Sequence, residues 1–243
     1  MTSPYGFSFE PLFLALGAVA AFLYWRARPA PRWRVVLFVL GLLLVVAPLN
    51  SPLETIAITR LLLMHLLQNV MIADWGPPLL ILGLTPEMQA AVARRGGRAW
   101  ALVTRPRVAL PLWLVAWYGT HTGVFYDYAL RHHWALNLEH LILIAAGTIF
   151  WWPALTRALS TAWTIAYLGT AFVGSAFLGL ALTFSTSVFY NYYARQPRLW
   201  GLSATKDQNL GGILMNAEQT VVFLVALGYF LMRLLDEEAE ADA

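Results

Sequence analysis

Residues 61–83 read LLLMHLLQNVMIADWGPPLLILG, and the reading of this stretch decides what kind of protein the chain forms. It is apolar enough to cross a bilayer, yet it carries His65, Gln68, Asn69 and Asp74. Polar and ionisable groups are costly in hydrocarbon, so they face a bundle interior and mark a functional site by default. His65, Gln68 and Asn69 stand at i, i+3 and i+4, on one face of a helix. The plainer alternative is interhelical hydrogen bonding, because His, Gln and Asn also join membrane helices.

Composition supports a membrane setting. Of 243 residues, 59% are hydrophobic and 12% charged, and mean hydropathy is +0.61; a soluble domain is about one quarter charged. The chain therefore reads as an all-α polytopic membrane protein with one membrane domain over residues 1–235 and an acidic, disordered tail over residues 236–243. There is no cysteine, so any metal must be held by His, Met, carboxylate or amide groups. Lys206 is the single lysine and lies before the last span, which excludes a retinal Schiff base in that helix. The small positive charge reports loop orientation and points to no nucleic-acid partner.

Outward from the central stretch, apolar runs predict about seven transmembrane helices. They cover roughly residues 9–24, 35–49, 55–83, 108–121, 134–152, 161–185 and 210–235. Pro77 and Pro78 should loosen the end of the third span and Pro153 should stop the fifth. Thr85 and Pro86 open a short interfacial helix as N-cap and first helical residue. The loops rich in arginine (Arg26, Arg28, Arg32 and Arg34, then Arg94, Arg95, Arg98, Arg105 and Arg107) place the N-terminus outside and the C-terminus inside. With no basic region before it, the first apolar run is expected to remain as a true span.

In that orientation all five histidines fall in the outer half. His65 lies roughly 8 Å and His140 roughly 10 Å below the outer interface, at 1.5 Å per residue. His121 ends the fourth span, and His132 and His133 lie in the loop before the fifth. Imidazoles with a thioether nearby, Met64 or Met215, suit copper; imidazole alone also suits zinc. His65, His121 and His140 are the candidate ligands. Around them Gln68, Asn69, Asp127, Glu139, Asp207 and Gln208 are candidates for orienting a ligand or assisting transfer. Glu139 and Glu218 also read simply as buried neutral acids, Asp74 as structural, and the run Phe189–Tyr193 as an interfacial aromatic belt. No G-x-S-x-G, H-E-x-x-H or P-loop motif points to an enzyme.

Several motifs coincide with one family. These are M-H-x-x-Q with P-P-L-L-x-L-G (Met64, His65, Gln68, Pro77 to Gly83) and H-x-x-x-x-Y-D-x-A-L (His121, Tyr126, Asp127, Ala129, Leu130). Glu139-His140 followed by F-W-W-P, and Y-x-x-Y-A-x-x-P-R-x-W-G-L-S from Tyr190 to Ser203 with Asp207-Gln208 and Gly211-Gly212, complete the set. In combination the chain resembles the CtaG family of membrane proteins required for assembly of cytochrome c oxidase and implicated in copper delivery to it. The resemblance implies a bacterial plasma-membrane assembly factor, not an enzyme. Its cargo would be copper, as Cu(I), and its partners an oxidase subunit and a soluble outer-compartment copper carrier. Two positions depart from the pattern: Asn69 replaces the family's usual second histidine, and Asn216-Ala217-Glu218-Gln219 replaces an aromatic and Pro-Gly. Two other readings remain open, a haem or electron-transfer protein with His65 and His140 as axial ligands, and a metal-free scaffold.

Overall fold

The computed structural model describes residues 5–27 and 29–242. Arg28 of the first basic loop, Ala243 of the tail and residues 1–4 of the expected domain lie outside the described residues. The described chain is all-helical, without a strand. Three helices are long and apolar enough to cross a membrane: α9 (His133–Leu155), α10 (Thr161–Phe184) and α12 (Ala204–Ala241). The runs predicted as the first, second and fourth spans form the shorter helices α1 (Pro11–Arg26), α2 (Arg32–Val46) and α7 (Pro106–Thr120).

The third apolar run is not one helix. It is divided into α3 (Pro52–Thr59), α4 (Leu62–Val70), a π-helical segment (Met71–Trp75) and α5 (Gly76–Gly83). The first break falls at Arg60 and Leu61, where the backbone turns extended at Leu61 (φ −133°, ψ 124°). The second explains how Pro77 and Pro78 fit. Gly76 N–H reaches back to the Met71 carbonyl, an i→i+5 bond, so the prolines enter as the opening turn of α5, where no donor is required. Pro153 also differs from expectation: α9 continues past it to Leu155.

The cap at Thr85 is as predicted. Its hydroxyl accepts from Met88 N, and α6 (Pro86–Val103) follows, kinked at Gly97, where φ is +56°. Short helices α8 (Gly123–Ala129) and α11 (Asn191–Ala194) sit in the connections. α12 runs along α10 and crosses α4, α2 lies on α5, and α9 packs between α7 on one side and α5 with the π segment on the other. The tail differs from the expected disorder, since α12 stays helical through its acidic residues to Ala241. There Thr161 Oγ1 and Arg233 Nε both donate to Glu237 Oε1 at 2.8 Å, tying the end of α12 to the start of α10.

Two clusters fill the bundle. At one end Trp113, Phe150, Trp151, Tyr167 and Phe223 interlock, with the Trp113 and Phe150 rings stacked 4.4 Å apart. At the other end Leu62, Leu66, Val70, Trp117, Tyr126, Tyr193 and Met215 enclose a polar centre.

Candidate functional site

α4 begins without a cap of its own. Its first amides, Leu62 N and Leu63 N, donate to Asp207 Oδ2 and Oδ1 at 2.9 Å each. Asp207, on α12, thus supplies the negative charge that a helix N-terminus favours, and Arg198 pairs with it at 3.0 Å. This clamp fixes α4 against α12 and sets the direction of the face carrying His65, Gln68 and Asn69. All three side chains are buried, none more than 1% exposed.

The tautomer of His65 follows from its partner. Tyr193 Oη donates its one proton to the Ala57 carbonyl at 2.6 Å, so it can only accept from His65 Nδ1, 2.9 Å away. Nδ1 therefore carries the proton and Nε2 is a bare lone pair. His65 Nε2 has no hydrogen-bond partner and stands 3.7 Å from Glu139 Oε1. His121 follows the same logic: its Nδ1 lies 2.7 Å from the Trp117 carbonyl, which can only accept, and its Nε2 is unpartnered. His140, fully buried, has no partner at either nitrogen.

His65 and His140 come together, their ring centroids 5.8 Å apart and nearly perpendicular. Phe13 presents its edge to His140 at 5.9 Å, so the start of α1 closes over this pair. His121 is brought to the same cluster but not to the same point: the Tyr126 ring lies against both His65 (4.9 Å) and His121 (5.6 Å). Among the described residues, no three His, Asp or Glu side chains stand close enough together to hold a metal ion as placed.

Asn69 Nδ2 donates to Glu139 Oε1 at 3.1 Å and so orients the carboxyl beside His65. Met215 is buried in the cluster that surrounds the histidines, whereas Met64 is half-exposed. Gln68 turns the other way, donating to the Pro48 carbonyl at 3.2 Å and to Glu54. Gln208 binds Phe189 N and the Ser187 carbonyl, and Asp127 accepts from Tyr192 N at 3.0 Å; both secure the loop that carries α11. Of the loop histidines, His133 donates to or accepts from Glu10 at 2.9 Å and His132 stacks on Tyr128.

The expected aromatic belt is corrected in part. Tyr190 and Tyr193 are each 1% exposed, not interfacial; Tyr190 Oη donates to the His121 carbonyl at 3.0 Å. Together with Tyr126 they form a tyrosine shell around the imidazoles. No sequence signal separates Tyr190 and Tyr193 from interfacial tyrosines, because Tyr190 stands in extended backbone just ahead of the four-residue α11.

Residues 12–237 match the family model described as cytochrome c oxidase caa3 assembly factor (Caa3_CtaG). No curated protein and no solved structure shows significant similarity to the chain. The match covers most of the chain, including every residue of the histidine cluster, and the chain belongs to this family.

Proposed function

We propose that this member of the cytochrome c oxidase caa3 assembly factors carries copper, as Cu(I), between His65 and His140 and passes it to an oxidase subunit. The observation that carries the reading is the pair of buried imidazoles with bare nitrogens. His65 is held by Tyr193 in the tautomer that leaves Nε2 free, and its ring lies 5.8 Å from that of His140, whose nitrogens are both unpartnered. Buried polar atoms are ordinarily satisfied, and two neighbouring imidazoles with unpartnered nitrogens suit a soft ion that takes few ligands. Glu139 stands beside His65, Met215 is buried in the apolar cluster of that end of the bundle, and His121 stands one ring further on, beyond Tyr126, as a relay position.

In this reading the chain spans the bacterial plasma membrane seven times, N-terminus outside and C-terminus inside. α1, α2, the α4–α5 unit, α7, α9, α10 and α12 are the spans, and the histidines face the outer compartment. A soluble carrier there would load the site, with lateral transfer to the oxidase. The protein would work by holding and handing over an ion rather than by catalysing a reaction. Phe13 and Tyr126 pack directly on the two imidazoles, which favours a small ion over a porphyrin.

The test is metal content by mass spectrometry on detergent-purified protein loaded anaerobically with Cu(I), beside His65→Ala, His140→Ala. About one copper per chain, lost in the double variant, is the expected result. Equal copper in both proteins would overturn the assignment, and none in either would leave a metal-free scaffold.

A further inference from the structure

A large groove lies away from the histidines. It is a groove of about 1340 Å³ between α12 on one side and α2 and α5 on the other, floored by the end of α9. It lies at the far end of the bundle: His140 is near the start of α9, while Arg157 follows that helix's last residue. α12 packs against α4 and the π segment, and further along the groove lies between it and α5 and α2. It closes where Trp75 Nε1 donates to Glu218 Oε2 at 2.9 Å, beside buried Asp74. From Glu218 to Arg233 it extends roughly 22 Å along α12 at 1.5 Å per residue, enough to cross one leaflet of a hydrocarbon core about 30 Å thick.

The walls are apolar, formed by Leu37, Leu79, Val221, Val225 and Phe230. Val221 and Val225 are 62% and 70% exposed, so this side of α12 has no protein cover. The charged lining is different. It includes three arginines from three separate elements: Arg34 of α2, Arg157 between α9 and α10, and Arg233 of α12. Arg34 is anchored by Nη1 on the Leu82 and Leu84 carbonyls, and Arg233 uses Nε on Glu237. Arg157 has a positive φ of 58°, a conformation that costs energy in any residue but glycine, so the fold holds it there under strain.

We infer that this groove is a binding site for an anionic phospholipid, with its phosphate at Arg34, Arg157 and Arg233 and an acyl chain along α12. A basic pocket between membrane helices with an apolar groove behind it has the chemistry such a headgroup and chain require. The volume matches one lipid-sized molecule better than a transmembrane helix about 10 Å across. The inference does not depend on copper, because the groove shares no residue with the histidine cluster.

The experiment is native mass spectrometry of the full chain released from phosphatidylcholine bilayers containing phosphatidylglycerol. The expected result is one phosphatidylglycerol retained per chain, with no retention of phosphatidylcholine and no competition by inorganic phosphate. Arg157→Gln with Arg233→Gln should lower retention about tenfold or more. Val225→Trp, which fills the groove from an exposed position, should abolish it while leaving the fold intact. Arg94→Gln with Arg95→Gln, on α6 outside the groove, should change nothing. Equal retention of both lipids, displacement by free phosphate, or unaltered binding in the groove variants would overturn the inference. So would an empty groove whose Val225 position photo-crosslinks to an oxidase subunit, which would make it a seat for a protein helix.

Discussion

His65 Nδ1 and Tyr193 Oη are 2.9 Å apart, and because Tyr193 gives its proton to Ala57, the tyrosine acts on the histidine purely as an acceptor. One hydroxyl thereby fixes the ring orientation and decides which imidazole nitrogen is available. The Tyr193→Phe substitution removes that acceptor and leaves the Ala57 carbonyl and His65 Nδ1–H unpaired. Unpaired buried groups cost about 1–3 kcal/mol, and loss of a partner that orients a metal-binding histidine typically weakens affinity about 10–100-fold. Cu(I) competition against a chromogenic chelator reads the second effect and a thermal melt the first. If copper affinity stays at the parent value, His65 does not bind copper through Nε2.

Asn69→His adds a second imidazole to the face of α4 that carries His65. Asn69 already reaches Glu139 Oε1, 3.7 Å from His65 Nε2, so an imidazole there adds a third nitrogen beside the pair. The variant loses the amide bond to Glu139, a cost of about 1 kcal/mol. Its Cu(I) affinity should rise about tenfold or more through the added ligand. The same chelator competition decides: no gain in affinity would mean that position 69 does not face the ion.

Asp207→Asn tests the clamp between α12 and α4. The carboxylate is fully buried, takes two amides of α4 and pairs with Arg198, which is 21% exposed. Breaking a buried pair costs about 3–5 kcal/mol; the partial exposure of Arg198 brings the expected loss down to about 2–3 kcal/mol. Arg198→Gln should cost less, because the amides still satisfy Asp207. A double-mutant cycle on melting in detergent measures the coupling, and additive losses would show that the two residues act independently.

These clamps mark where sequence reading succeeds and where it stops. Helix α10, its flanks and the cap at Thr85 are legible, because composition and capping chemistry act locally. The shared face of His65 and Asn69 is legible for the same reason. The break at Arg60 and Leu61 is not, since a lone arginine between apolar runs does not show that the backbone turns extended. Nor is the role of Tyr193: near a span end, a tyrosine that anchors at the interface and one that faces inward have the same composition around them. Asp207 was legible as a polar residue at a span boundary, but its action on a helix 145 residues earlier is a matter of tertiary placement. The same holds for the tail, where Glu237 is held by Thr161 and Arg233.

That anchoring makes the end of α12 sensitive to acid. The Thr161 hydroxyl, and then Arg233, hold the Glu237 carboxyl below its ordinary value of 4.5. A depressed carboxylate contributes stability above its unfolded value and loses it as pH falls through the folded one. Amide exchange in residues 234–241 should therefore quicken as pH drops below about 4.5, after correction for intrinsic rates. Glu237→Gln should flatten this dependence, and an unchanged profile in that variant would remove Glu237 as its cause.

Gly147→Ala probes the contact that holds α9 against the π-helical segment. A Cβ at Gly147 would overlap the Ala73 carbonyl oxygen and come within 3.1 Å of Pro77 Cγ. A backbone oxygen cannot rotate aside as a side-chain end can, so α9 or the π segment must move. Overpacking of this kind costs about 1–3 kcal/mol. The displacement would also reach Glu139 and His140, two turns earlier on α9, and so separate His140 from His65. The variant should melt at lower temperature and bind Cu(I) more weakly, whereas Gly169→Ala, which meets nothing within 4 Å, should do neither. Parent-like melting of Gly147→Ala would mean that the two elements are not in backbone contact. A lower melting temperature with full copper affinity would mean that the histidine pair tolerates movement of α9, and that its geometry is set by the α4–α12 clamp alone.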